Sequence, residues 1–216
     1  MQQWNTIYKK EGEKYKYYKI FEPHKDIGRV VKIFKKHKVK RVLDLGCGAG
    51  RHVWYLTQMG FEVYGIDIAA DGIKKTKMIL KEKRLKATDL RVGNILEKLP
   101  YKDDFFDAVV SVQVLQHGKE KQIKGVIKEI ERILKPGGLA FFTVCGRIAK
   151  GKIRYCLVKT AKKITPNTYV PTIGNETGLI HFIYTKQKIK EHYNNFKLID
   201  FWRDDKDYYC FVGEKI

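Results

Sequence analysis

The 216-residue sequence predicts an α/β fold in which a mostly parallel sheet lies between two layers of helices. Helix-like and strand-like segments alternate from residue 23 onward, and a glycine-rich turn joins one short apolar run to a helix. The run Phe105 to Val112 is apolar except for Asp107 and Ser111, as a strand buried on both faces would be. Parallel strands need crossover connections, and right-handed crossovers place helices on both sides of the sheet.

Each element follows in order. Pro23 can open a helix in which Ile27, Val30, Val31 and Phe34 form one apolar stripe. Arg41 to Leu45 reads as a strand ended by glycines, followed by a helix from Gly50 to Met59 that Gly60 closes. Phe61 to Ile66 is a second strand, Asp71 a candidate cap for a helix reaching Lys83, and Leu90-Arg91-Val92 a short third strand. Phe105 to Val112 is a fourth, central strand. Ile123, Val126, Ile127, Ile130, Ile133 and Leu134 make the cleanest helical stripe, which Pro136-Gly137-Gly138 should stop before a strand from Leu139 to Val144. Residues 146–184 hold turn formers and no long periodic run. A helix near Lys186 to Tyr193 comes next, and Phe196 to Trp202 and Tyr208 to Gly213 flank a polar turn, so the last two strands form an antiparallel hairpin.

Composition sets the class. With 44% hydrophobic and 12% aromatic residues the chain can bury a core, which excludes disordered, collagenous and disulfide-scaffold proteins. One domain is expected over residues 1–216, with no membrane span and no secretory leader, hence a cytoplasmic protein with no membrane partner. Cys47, Cys145, Cys156 and Cys210 read as reduced thiols, with no CxxC pair and no metal site expected. The 44 Lys and Arg exceed the 24 Asp and Glu to give a formal charge of +20. Much of that surplus serves solvation at helix ends, but residues 146–163 carry Arg147, Lys150, Lys152, Arg154, Lys159, Lys162 and Lys163 with no acid. That run can draw an anionic metabolite or RNA, or be a solvated face.

The informative motif is Asp44-Leu45-Gly46-Cys47-Gly48-Ala49-Gly50, leaving a strand and entering a helix. Glycines there allow backbone to approach a ligand, and free N–H groups at the helix start face it. A dinucleotide site needs G-x-G-x-x-G, and its third position here is Arg51, which argues against a nicotinamide enzyme. Asp67, at the end of the second strand, stands where a carboxylate accepts two ribose hydroxyls. A ligand-free tight turn and a capped strand end are the plainer alternatives.

Together with Gly65-Ile66-Asp67-Ile68, Gly93-Asn94-Ile95, Phe106-Asp107-Ala108-Val109 and Ile133-Leu134-Lys135-Pro136-Gly137-Gly138, this stretch resembles the successive motifs of class I S-adenosylmethionine-dependent methyltransferases. The whole chain is most similar to small, single-domain methyltransferases of the tellurite-resistance type, including Gly178-Leu179-Ile180-His181-Phe182. The resemblance implies a Rossmann-like three-layer sandwich with a seven-stranded sheet of order 3-2-1-4-5-7-6, the last strand antiparallel. It implies S-adenosylmethionine as cofactor, under which pass Asp44, Gly46, Cys47, Gly48 and Gly50. Asp67 would hold the ribose, Ile68 would pack on the adenine, Asn94 would meet its edge where many members carry Asp, and Ile95 would also bind the cofactor. Ser111 and Gln113 would lie beside cofactor and substrate.

The implied reaction is direct, in-line methyl transfer to a small, anionic acceptor, with tRNA or another RNA as the alternative partner and a non-catalytic cofactor-binding module as a further alternative. Neither an Asn-Pro-Pro-Tyr-like loop nor a Pro-Cys pair follows the fourth strand, which disfavours base methylation by those routes. His117 and His181 are the candidate proton acceptors or substrate contacts. Trp4, Tyr8, Tyr15, Tyr17 and Tyr18 make residues 1–22 a lid or a packing segment, and residues 146–184 a substrate-side insertion.

Overall fold

Alternating apolar positions along each strand feed two separate cores, one on each face of a single sheet. The computed structural model describes Trp4, residues 22–174 and residues 176–216. Its helices are α1 (Ile27–Lys36), α2 (Arg51–Gln58), α3 (Ala70–Glu82), α4 (Glu120–Ile133) and α5 (Lys186–His192). The strands are β1 (Arg41–Leu45), β2 (Glu62–Asp67), β3 (Asp89–Val92), β4 (Phe106–Val112), β5 (Leu134–Cys145), β6 (Ile148–Ala149), β7 (Lys152–Ile153), β8 (Lys162–Thr165), β9 (Thr168–Val170), β10 (His181–Phe182), β11 (Phe196–Arg203) and β12 (Tyr208–Lys215).

Seven strands form the main sheet in the order β3-β2-β1-β4-β5-β12-β11. The first five are parallel, and β12 runs antiparallel to both β5 and β11. This is the expected order, with β11 and β12 as its sixth and seventh strands. Val42, Ala108, Val110, Phe141 and Val212 point to the face covered by α1, α2 and α3. Leu43, Leu45, Val109, Phe142 and Phe211 point to the other, covered by α4 and α5. The four stripe residues of α1 and the five helical ones of α4 are all buried. Because β2 and β4 flank β1 on opposite sides, the connections after β1 and β4 diverge, leaving a crevice at the carboxyl ends of these strands.

Two local expectations need correction. Pro136-Gly137-Gly138 does not separate helix from strand: β5 begins at Leu134, directly after α4, and the segment is absorbed as a bulge. Phe106 pairs with Leu134 and Ala108 already with Leu139. Gly137, at φ +70°, and Gly138, where a Cβ would lie 2.8 Å from the Lys135 carbonyl, make that geometry accessible. Asp71 does not cap α3. Ala69 is its N-cap, and the Ala69 N–H is taken instead by Asp67 Oδ1 at 2.8 Å. Residues 146–184, which carry turn formers and no long periodic run, fold as short strands: β6 and β7 form a hairpin, and β8, β9 and β10 a small antiparallel sheet. β10 ties back to the segment after β4, with Gly118 N donating to Ile180 O and Phe182 N to Gln116 O.

No helix among the described residues is long and apolar enough to cross a membrane.

Candidate functional site

The crevice holds a cavity of about 390 Å³, walled by the loops after β1, β2, β3 and β4 and closed by residues 176–180. That volume suits a small ligand.

The glycine loop makes its floor. Gly46, at φ +76°, comes so close to the segment after β4 that a Cβ would sit 2.5 Å from Val114 Cγ2. Its N–H and that of Cys47 both donate to the Ile66 carbonyl, tying the loop to the end of β2. Gly50, at φ +79°, is the N-cap of α2 and leaves no room for a side chain beside Thr76. Thr76 Oγ1 donates to the Gly48 carbonyl at 3.1 Å, and a Cβ on Gly72 would meet that same oxygen at 2.8 Å. Helix α3 thus supports the loop from below.

Asp67 ties the glycine loop to the end of β2. Its Oδ2 accepts the Gly48 N–H and its Oδ1 the Ala69 N–H, both at 2.8 Å. The Ile68 N–H also bonds this carboxylate, so of its roughly four lone-pair sites at least one stays for a ligand. Burial pushes its pKa up, against those backbone donors that pull it down. Behind the loop, Asp44 is buried, with Oδ2 accepting no hydrogen bond among the described residues and His52 Nδ1 at 4.0 Å. Burial raises its pKa from 3.8 to about 7, with Arg51 lowering and Asp67 raising it. His52 Nε2 accepts the His24 N–H, which places its own proton on Nδ1, toward Asp44. Burial first, then the charges of Arg51 and His24, holds His52 well below the usual histidine range and keeps it neutral.

Of the residues singled out from sequence, Gly46, Cys47, Gly48, Asp67, Ile68, Asn94, Ile95, Gln113 and His117 line the cavity. Asp44, Gly50, Ser111 and His181 do not. Asp44 and Ser111 lie behind the wall, Gly50 caps its helix, and His181 is wholly buried. Asn94 spends its side chain on its own turn, accepting from Leu96 N and donating to Glu97 Oε1. Gln113 holds the left-handed conformation at φ +61°, its N–H bonded to Thr143, a strained geometry of the kind kept at ligand sites.

The sequence reading missed Arg51, His52, Gln116 and Glu176, all of which line the cavity. Arg51 carried a signal, a cation immediately after the glycine loop. Gln116 and Glu176 carried none, because the β10 pairing brings them there. The seven cations of residues 146–163 stay outside: none lines the cavity among the described residues. Arg147 bonds the Tyr169 hydroxyl, and Arg154 the Gly146 and Lys206 carbonyls while stacking on Tyr208. Trp4 reaches the cavity and meets the His117 ring edge-on at 4.9 Å, whereas Tyr8, Tyr15, Tyr17 and Tyr18 lie outside the described residues.

His117 and His181 are side by side. Burial first, then the neighbouring His181, pushes the pKa of His117 down to about 3, against Glu176 and a Gln113 backbone hydrogen bond. A base that weak cannot take up a proton effectively near neutral pH.

Residues 43–142 match the family described as methyltransferase domain. The chain is 27% identical over 133 residues to the uncharacterized methyltransferase YcgJ of Bacillus subtilis, covering 62% of this chain and 51% of that protein. It spans about half the length of the curated relatives it matches. The PH0226 protein of Pyrococcus horikoshii superposes with a TM-score of 0.70 at 23% identity, over 91% of this chain and 94% of that one. TehB of Haemophilus influenzae superposes with a TM-score of 0.64 at 18% identity, over 88% of this chain and 62% of that one. At such identities the two superpositions speak for the fold alone.

Proposed function

We propose that this chain, which carries across residues 43–142 a methyltransferase domain of the class I, S-adenosylmethionine-dependent type, transfers a methyl group from that cofactor to a small acceptor by direct displacement. One observation carries the reading. The loop Gly46 to Gly50 is locked to Asp67 at one end of a cavity whose other end, at Gln113 to Gly118, remains open to a second molecule.

The residues present fit the cofactor. The glycine loop leaves backbone where side chains would intrude, Asp67 keeps acceptor capacity for a ribose hydroxyl, and Ile68 and Ile95 offer apolar sides for a purine. When bound, the cofactor supplies a sulfonium whose methyl group is already electrophilic. The chain has then to orient an acceptor atom at about 3–3.5 Å, in line with the breaking bond, and to keep water out. Residues 176–180 close the cavity from the β10 side, and Gln116 Oε1, buried and without a hydrogen bond among the described residues, is an acceptor available to a bound molecule. The cations of residues 146–163 give no contact inside, which favours a small molecule over RNA.

The test has two parts. Calorimetry with S-adenosylmethionine and its demethylated product should show one site per chain. Labelled methyl groups offered with fractionated lysate should appear in small metabolites. Label confined to RNA would replace the acceptor class. No heat with either cofactor form, while reduced pyridine nucleotide saturates, would sink the reading.

A further inference from the structure

We infer that His117, His181 and Glu176 form a site for a divalent transition-metal ion of the zinc class, placed at the acceptor end of the cavity. One ring nitrogen from each histidine and one carboxylate oxygen lie within 4.8 Å of one another. The fold builds this meeting deliberately. The backbone bridge between His117 and His181 sets their rings 4.6 Å apart, and the turn preceding β10, with Leu179 N bonded to Glu176 O, brings the carboxylate back onto them.

Proton counting points to a missing positive centre. His181 Nδ1 lies 3.0 Å from the Leu179 carbonyl oxygen, which can only accept, so Nδ1 carries the ring proton. Its Nε2 then faces Glu176 Oε2 at 3.0 Å, lone pair against carboxylate. A neutral imidazole cannot satisfy both contacts; either an added proton or a metal ion must sit between them. An Nδ1–H held by a backbone carbonyl, with Nε2 turned to a cation, is how metal-binding histidines are oriented. Two donors each about 2.1 Å from one tetrahedral metal lie about 3.4 Å apart, so the 3.0 Å contact would open by about 0.4 Å to admit an ion, in a cluster whose donors all lie within 4.8 Å of one another.

Three further features favour the ion over the proton. His117 Nδ1 is buried and bonds nothing among the described residues, so an added proton on His181 would leave it unsatisfied. A ring nitrogen that bonds nothing else can turn a lone pair to an ion. Two imidazoles and one carboxylate are the ligand set of open catalytic zinc sites, which keep a position for substrate. Here that position faces the cavity, because His117 and Glu176 both line it.

The second cluster of this kind, His24, Asp26 and Cys210, has its donors committed elsewhere: His24 Nε2 to Asp204, and the Asp26 carboxylate to Trp202 Nε1. It serves as the control.

The consequence for chemistry rests on the proposed methyl transfer. An acceptor hydroxyl or thiol held at the open position would lose its proton to solvent at neutral pH. Its lone pair would form the new bond to carbon as the carbon–sulfur bond breaks, and the bonding electrons would leave with sulfur. No side-chain base would be needed, in keeping with the weak basicity of His117.

The test uses metal-stripped, tag-free protein. Calorimetric titration with Zn2+ at pH 7 should give one site at micromolar affinity or tighter, with Mg2+ binding at least a hundredfold more weakly. His117→Ala and Glu176→Gln should each weaken Zn2+ at least tenfold while retaining affinity for the demethylated cofactor, which reports an intact fold. Cys210→Ser should leave Zn2+ binding unchanged. Co2+ should give visible absorption bands of a nitrogen and oxygen ligand set in the unmodified protein. No Zn2+ site, affinity in either His117→Ala or Glu176→Gln equal to that of the unmodified protein, or loss in Cys210→Ser would each overturn the assignment. Cofactor heat without Zn2+ binding removes this inference alone. Zn2+ binding without cofactor heat removes the methyl-transfer reading and leaves the metal site standing.

Discussion

Replacing Asp44 by Asn removes a carboxyl that the fold holds against ionisation. The side chain is 1% exposed, and burial raises its pKa from 3.8 to about 7. Since the folded value exceeds the unfolded one, the contribution is fully present below pH about 4 and is lost as pH rises through 7. A gap of about three pH units, at about 1.4 kcal/mol each, amounts to about 4 kcal/mol. Asn carries no charge in either state, and Arg51, His52 and Asp67, which face this position, are common to both proteins. The difference between them therefore isolates Asp44. In urea unfolding at pH 5, 6, 7 and 8, the stability of Asp44→Asn relative to the parent should rise by about 1.4 kcal/mol per pH unit up to pH 7 and then level off. A difference that stays flat from pH 5 to pH 8 would show that this carboxyl ionises as freely in the folded chain as in the unfolded one.

Asp67→Ala should weaken the demethylated cofactor at least tenfold by calorimetry, since about 1.4 kcal/mol or more of hydrogen bonding is lost along with the Gly48 and Ala69 anchors. Gly72→Ala drives a Cβ against the Gly48 carbonyl at 2.8 Å; a loss of about 1–3 kcal/mol in urea unfolding is expected, accompanied by weaker cofactor binding. Asp204 is buried, yet its bonds to His24, Tyr208 N and Lys206 N outweigh burial and lower its pKa. Asp204→Ala should cost about 1–3 kcal/mol at pH 7, a cost that shrinks as pH falls below about 4 and the parent carboxylate protonates. Acid titrations of both proteins, followed by circular dichroism, read this directly.

The sheet was legible because its signals are local and repeated. The α1 and α4 stripes, the apolar run of β4 and the β11–β12 hairpin each announce one buried face within a few residues. The errors arose where a local signal met a stronger partner. Pro136-Gly137-Gly138 reads as a stop, but glycine's freedom let β5 carry the segment as a bulge instead. Asp71 has the chemistry of a cap, but the helix already starts at Ala70, which leaves Asp71 inside its first turn. The strands β6 to β10 are two to four residues long, too short to leave a periodic pattern.

The same logic divides the candidate site. Its proposed cofactor half is local: Gly46 to Gly48, Asp67 with Ile68, and Asn94 with Ile95 each close a single strand end, so the glycine spacing and Asp67 could be read from the residues and Ile68, Asn94 and Ile95 from the family resemblance. Its proposed acceptor half is long-range. Glu176 reaches His117 only because β10 pairs with the segment after β4, and that pairing exists only once residues 146–184 have folded back over the sheet. The two halves are nonetheless mechanically one, because Val114 fills the space where Gly46 lacks a side chain, and His117 follows three residues later with its N–H bonded to the Val114 carbonyl. A displacement of the glycine loop therefore bears directly on the histidine pair. A glycine at position 46 is needed for its positive φ, and equally because the acceptor side of the cavity rests on it.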